Sequence, residues 1–373
     1  MRERLAVNGS PVGTIAFADL FDRLRPEIAR LEHEAPGDLP SFFEATTVMG
    51  FLLARERDCE AVVLEVGLGG RLDATNVVDP TACLITQIAR DHTRILGDTV
   101  ASIAREKAGI IKPGRPVAAL GRPGSAAHKV ISERASELGA PLVCEGQGLT
   151  LEMTETFIRP DGGPGLRLDG TVAGRRWQAL ELLAGAEHQA WNALLAIHGA
   201  SLLLDSLGRG IEDSVVRTTL RELNLPARSE WFPGTPPVLL DGAHTQESVV
   251  DLTRVAGRLA GGRPIHVVCA LTRDRDPARV LGSLAECAAS LTATTIESPR
   301  GRPAEEVAEP LRCPSLTLRT EESPTDALKV ATDAAGDQGI VVIAGSLYLA
   351  GSLRGLLEEC STPEESSAPE GGP

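Results

Sequence analysis

The chain has 373 residues, a formal net charge of −14 and a sequence pI near 5.1. That charge repels nucleic-acid phosphates and anionic membrane surfaces, and its lysines, Lys107, Lys112, Lys129 and Lys329, form no basic run that would offset it. A length beyond that at which one core keeps growing, with 42% apolar residues, argues for two domains.

In chain order, helices are expected over 15–33, 42–57, 99–108 and 123–138, interleaved with apolar strands at 61–66 (AVVLEV), 83–88 (CLITQI) and 115–120 (RPVAAL). Continuous apolar strands alternating with helices are the pattern of a parallel sheet covered on both faces. Between 149 and 180 the pattern turns to short alternating segments with DGGPG and DG turns, an antiparallel insert. Helices over 187–204 and 211–223 follow, then the proline-rich LPARSEWFPGTPP.

A domain boundary is placed there, giving domains 1–225 and 226–358. The second domain has strands at 237–243, 265–271, 293–298 and 339–346 alternating with helices, a smaller Rossmann-like unit. The polar tail 359–373 is expected to be disordered. Cysteines 59, 83, 144, 269, 287, 313 and 360 are odd in number and scattered, so they read as reduced core thiols of a cytoplasmic protein. The start, MRERLAVNG, has no apolar leader segment, and no run reaches the length of a membrane span.

Ligands of open parallel sheets bind where strands end. The first strong strand ends in LEVGLGGRLDATN, residues 64–76. The dinucleotide fingerprint G-x-G-x-x-G, counted from Gly67, fails at Leu72. Glu65 at that exit needs a cation or hydrogen bonds if buried; the backbone amides of the glycine turn are one source. The next strand exits toward His92, either a solvated loop histidine or a metal partner for Glu65. Lys107 follows in a short helix, in a chain where lysine is scarce.

Three stretches, SFFE, LEVGLGGRLDATN and DHTRILGDTVASIAREKAGIIKPG, together resemble the folylpolyglutamate synthase and dihydrofolate synthase branch of the Mur ligase superfamily. The likeness continues through EHQAWNA, PARSEW, LLDGAHTQES and IAGSLYLAG. It implies an ATP-dependent amide ligase, a monomer acting on ATP, L-glutamate and dihydropteroate or folate. A folate carboxylate would be phosphorylated and the glutamate amine would attack the acyl phosphate. The resemblance implies Glu65 and His92 as Mg²⁺ ligands and Lys107 as a carbamylated lysine serving a second Mg²⁺. It also implies Asn192 at adenine, Arg228 at the ATP phosphates, Asp241 at the nucleotide and His244 near the incoming glutamate. Ser41, Phe42, Phe43 and Glu44, with Leu72, Asp73 and Ala74, match segments that hold the pteroate. Thr245 and Gln246 replace the more usual DGAHNP ending, and Arg275 stands where a lysine is common.

The family's phosphate-binding loop ends in Gly-Lys-Ser/Thr, and this sequence contains no Gly-Lys pair. Two readings follow. One is a ligase whose N-terminal segment is not included; the other is a paralogue that binds folate or a partner without ligase turnover.

Overall fold

The computed structural model describes residues 2–361. They fall into two compact units. One holds the residues up to Thr150 together with Leu195–Ile211, the other Leu151–Leu194 together with Glu212 onward.

The first unit opens with a short antiparallel ribbon of β1 (Ala6–Val7) and β2 (Ser10–Pro11), then α1 (Thr14–Glu34) and α2 (Phe42–Glu56). Leu5, Val12, Leu20, Met49 and Leu53 form a small core beneath these helices. Next come β3 (Cys83–Ile85), α3 (Thr93–Leu96), α4 (Val100–Ala108), β4 (Val117–Ala119), α5 (Ala126–Glu137) and β5 (Leu142–Glu145). β3, β4 and β5 pair in parallel. Ile103, Ile111, Val117 and Ile131 fill the core against them, so the expected βα alternation holds here.

The strand expected at 61–66 is not formed. Those residues join no hydrogen-bonded ladder among the described residues, and β3 pairs only with β4. Val63 is 85% exposed and Val62 47%. An apolar run becomes a strand only when a neighbour accepts its backbone hydrogen bonds. The strand expected at 83–88 is likewise cut to three residues.

β6 (Gly148–Ile158) leads into the second unit, where β7 (Pro164–Val172) and β8 (Arg175–Leu182) form the antiparallel insert. A bulge near Asp169 is sealed by the Ala179 N–H, which donates to Oδ1 of Asp169 at 2.7 Å. α6 (His188–Ser206) and α7 (Asp213–Glu222) follow.

The rest is a Rossmann-like unit: β9 (Glu230–Phe232), β10 (Val238–Leu240), α8 (Gln246–Ala260), β11 (Ile265–Cys269), α9 (Pro277–Cys287), β12 (Ser290–Thr294), α10 (Ala304–Ala308), β13 (Thr317–Glu321), α11 (Pro324–Ala335), β14 (Ile340–Ala344) and α12 (Leu347–Ser361). The sheet order is β13-β12-β11-β14-β10-β9, parallel except for β9. Helices cover both faces, over cores built on Leu239, Val267 and Val342 on one side and Leu240, Val268 and Ile343 on the other.

The strand expected at 293–298 lies instead at Ser290–Thr294, because the Ile296–Gly301 stretch turns to form the next loop. β9 and β13 were not anticipated; both carry charged residues that mask the strand pattern. The expected tail start at residue 359 is too early, since α12 runs to Ser361; the remainder of that tail lies outside the described residues. The cysteines divide. Cys83, Cys144 and Cys269 are buried, whereas Cys287, Cys313 and Cys360 are exposed. Full burial pushes the Cys269 thiol up to about 12, which makes it an inert core group.

Candidate active site

In the first unit the glycine turn and the start of α2 enclose a cleft of about 360 Å³ lined by Ser41, Phe43, Glu44, Leu72, Asp73 and Ala74. Leu68, Gly69, Arg71, Ile95, Leu96 and Glu106 complete it. Two segments that are distant in sequence thus meet at one cavity of ligand size. Phe42 does not line it; its ring lies under the Arg4 guanidinium, 5.7 Å away.

The local chemistry explains the segments. Ser41 Oγ accepts from the Glu44 N–H at 3.2 Å and Glu44 Oε2 accepts from the Ser41 N–H at 2.7 Å, a capping box that starts α2. The same hydrogen bonds from Ser41 hold the Glu44 carboxyl below its ordinary range. Asp73 organises the turn. Its Oδ2 accepts from the N–H groups of Gly67 (2.9 Å) and Leu68 (3.1 Å), and its Oδ1 accepts from Thr75 N–H (3.0 Å) and Oγ1 (2.6 Å). The turn amides are therefore satisfied by Asp73 and not by Glu65.

Asn76 ties the turn to the end of α4 by donating to the carbonyls of Arg71 and Gly109 at 3.0 and 3.1 Å. Arg71 Nε donates to Glu106 Oε1 at 3.1 Å. Gly109 is required for that approach, because a β-carbon there would stand 2.4 Å from Arg71 Cβ.

Glu65 is exposed and His92 sits in the left-handed region at φ 50°, its N–H donating to Asp91 Oδ1 at 2.7 Å. Lys107 is half-buried, and its ammonium makes no hydrogen bond or ion pair among the described residues. Among those residues no three His, Cys, Asp or Glu side chains gather as a metal would require. The donors expected for two Mg²⁺ ions do not make a preformed centre here, and no donor meets Lys107 as a carbamate would need.

In the second unit Arg228 lies between Ala227 (φ 54°) and Ser229 (φ 49°), two non-glycine residues in the left-handed region. The loop is held from both sides. Ser229 donates from N–H (2.7 Å) and Oγ (3.2 Å) to Asp241 Oδ2, and Asp241 Oδ1 accepts from the Ala243 N–H at 2.8 Å. Burial pushes the Asp241 carboxyl up against the opposing effect of these donors and of the Arg228 charge. Arg228, Asp241 and His244 are thus brought to one end of the sheet, where β10 exits.

His244 Nδ1 lies 2.8 Å from the Gly242 carbonyl, which can only accept, so Nδ1 donates to it and fixes the ring. Asn192 Nδ2 donates to Gln189 Oε1 at 3.2 Å; Gln189 in turn meets His188, whose Nδ1 is 3.5 Å from Asp251 Oδ2.

Glu230 escaped the sequence reading. It is 5% exposed, it accepts from Arg354 Nε and Nη2 at 2.9–3.1 Å and from the Ala227 N–H at 2.9 Å, and so anchors the Arg228 loop. A glutamate inside a short strand next to PARS was the available signal.

Residues 227–347 match the Mur ligase glutamate ligase domain. The dihydrofolate synthase/folylpolyglutamate synthase of Bacillus subtilis is 31% identical over 358 residues, covering 95% of this chain and 81% of that protein. The chain belongs to the folylpolyglutamate synthase and dihydrofolate synthase family. The Mycobacterium tuberculosis folylpolyglutamate synthase complexed with ADP and AMPPCP superposes with a TM-score of 0.85 at 28% identity, over 95% of this chain and 82% of that one. E. coli FolC in complex with DHPP and ADP gives 0.79 at 26% identity, over 97% and 80%. The fold is accordingly the two-domain α/β Mur-ligase-like architecture of that family. No helix among the described residues is long and apolar enough to cross a membrane.

Proposed function

We propose that this chain carries the machinery of an ATP-dependent amide ligase that adds L-glutamate to dihydropteroate or folate, as a cytoplasmic monomer. The observation that carries the reading is the cleft in which Ser41, Phe43 and Glu44 meet Leu72, Asp73 and Ala74, in a chain of this family. Phe43 offers a ring face to a flat pterin, and Leu72, 80% exposed, an apolar edge. Phe42, facing Arg4, takes no direct part.

The reaction has two steps. A substrate carboxylate oxygen attacks the γ-phosphorus of ATP and ADP leaves; the glutamate amine then attacks the acyl carbon, phosphate leaves, and the ammonium-derived proton is lost. Arg228 offers a forked cation to phosphate oxygens, with its loop stiffened by Glu230 and Asp241. Asp241 acts at the nucleotide mainly through this loop. His244, its ring fixed by the Nδ1 hydrogen bond to the Gly242 carbonyl, presents its other ring nitrogen to the incoming amino acid and orients it. Asn192, held by Gln189, contacts adenine. The domain division at 225/226 keeps Arg228, Asp241 and His244 on the glutamate ligase side.

A second reading is a folate-binding protein without turnover, which would use the same cleft of Phe43, Leu72 and Asp73. Calorimetric titration with dihydropteroate tests the shared part of both. Micromolar binding lost in Phe43→Ala is expected; equal binding by wild type and Phe43→Ala would overturn the site. Glutamate-dependent ADP release then separates ligase from binder.

A further inference from the structure

Four polar side chains of the second unit stand in one line of contacts. Asp251, on α8, turns Oδ2 toward His188 Nδ1 at 3.5 Å and accepts from Arg254 Nη1 on Oδ1 at 2.8 Å. His188 opens α6, and its Nε2 lies 3.1 Å from Gln189 Nε2. Gln189 Oε1 accepts from Asn192 Nδ2 at 3.2 Å. His188 first, and Arg254 after it, hold the Asp251 carboxyl below its usual range against the opposing effect of burial, so a full negative charge faces the imidazole.

The line has a direction. A carboxylate only accepts, so its charge draws the imidazole proton to Nδ1; the amide nitrogen of Gln189 only donates, so Nε2 takes part as an acceptor. With its nitrogen committed to His188, Gln189 has its oxygen left for Asn192, and Asn192 meets it with its own amide nitrogen. Gln189 is 9% exposed, where an amide turned the wrong way would set donor against donor without water to relieve it. Without the carboxylate, the tautomer protonated on Nε2 becomes open to His188. That tautomer would take Gln189 Oε1, turn the Gln189 nitrogen toward Asn192 and reverse both amides.

The direction decides what Asn192 can offer. One of its amide hydrogens is spent on Gln189, and its side chain makes no other hydrogen bond among the described residues. Oδ1 and the second Nδ2 hydrogen remain, the set that meets the 6-amino group and N7 of adenine bidentately; guanine presents two acceptors on that edge and would set O6 against Oδ1. In the reversed line Asn192 would present two hydrogens, the set guanine accepts. We propose that Asp251 is a positioning residue for nucleobase choice: through His188 and Gln189 it fixes which edge of the Asn192 amide faces the base, and so favours a 6-aminopurine over a 6-oxopurine. The inference rests on the reading that Asn192 contacts adenine.

The test has two readouts on the 373-residue chain, with wild type, Asp251→Ala, Asp251→Glu and Asn192→Ala, each shown to fold by a melting curve. The first is the imidazole ¹⁵N spectrum at pH ~8, where the neutral ring dominates, with the His188 signals identified by their loss in His188→Asn. Wild type should show the proton on Nδ1, and Asp251→Ala should lose that preference. The second is calorimetric titration with ADP and with GDP. Asp251→Ala should lower the preference for ADP over GDP about tenfold, and Asp251→Glu, which keeps the charge on a longer arm, should restore much of both signatures. An alanine variant that keeps the wild-type tautomer overturns the relay, and so does one that loses the tautomer while its preference for ADP is unchanged. The adenine reading fails separately: if Asn192→Ala keeps the wild-type preference, or wild type shows none, while the His188 tautomer still answers to Asp251, the relay stands and Asn192 does not face the base.

Discussion

The ring of Phe43 lies flat against the backbone of Gly67, with three ring carbons within 2.8–2.9 Å of where a β-carbon at 67 would stand. The glycine is thus part of the aromatic wall. Gly67→Ala must push the ring toward the cleft. Since the ring is the movable end of a side chain, the cost to stability should stay near 1 kcal/mol, while dihydropteroate binding weakens about tenfold. Calorimetry and melting curves on the same protein check this. An alanine that leaves binding intact would place the pterin elsewhere.

Gly109→Ala should behave in the opposite way. Its β-carbon would meet Arg71 Cβ at 2.4 Å and Arg71 Cα at 2.6 Å, and backbone atoms cannot step aside. A loss of about 2–3 kcal/mol is expected, read as a lower denaturant midpoint of the first unit with an unchanged slope.

Asp73→Ala removes an acceptor of four hydrogen bonds. Two of the donors belong to the glycine turn, so the turn should loosen before the unit unfolds. Faster amide exchange at Gly67 and Leu68, with a stability loss of about 2 kcal/mol, is the expected outcome. Unaltered exchange at both amides would show that the turn holds itself.

Glu230 gives a pH-dependent prediction. Burial raises its pKa, but the hydrogen bonds from Arg354, the Ala227 N–H and Asn224 outweigh that effect and hold the carboxyl below its usual value. A depressed acid contributes stability above its unfolded pKa, about 4.3, and loses it as pH falls through the folded value. Glu230→Gln should therefore cost about 2 kcal/mol at pH 7 and progressively less below pH ~4. Parallel acid unfolding curves for wild type and variant would refute the assignment.

The unpaired run at 61–66 should make the 373-residue chain bind a hydrophobic dye, because Val62, Val63 and Leu64 are exposed together. Val63→Glu should reduce the fluorescence severalfold without lowering the melting temperature. The same preparation is expected to release ADP far more slowly than about one turnover per second, the low end of the ordinary enzyme range, for want of a Gly-Lys phosphate loop in its 373 residues.

The helices could be read because their signals are local. Ser41 and Glu44, Thr99 and Ser125 each cap a helix whose apolar periodicity is plain. The run AVVLEV misled because strand composition says nothing about whether a neighbour exists. Glu230 and Arg354 stand 124 positions apart, and no window of sequence contains such a pair. The two halves of the cleft could be named from the family resemblance. That Ser41, Glu44 and Asp73 spend their polar atoms on the backbone could not, since capping and ligand binding call for the same residue types.

The left-handed pair that brackets Arg228 has a consequence for how the loop would evolve. An L-residue in that region costs about 1–2 kcal/mol, so Ala227 and Ser229 keep a penalty that glycine would remove. Glycine would also widen the torsional freedom of the unfolded chain, by about 0.5–1 kcal/mol per site, leaving little net gain. What would change is the spread of directions open to the guanidinium. The strained residues act as stiff shoulders that narrow its swing: a drift to glycine at 227 would leave the fold nearly as stable and the arginine poorly aimed, and at 229 it would also remove the Oγ hydrogen bond to Asp241.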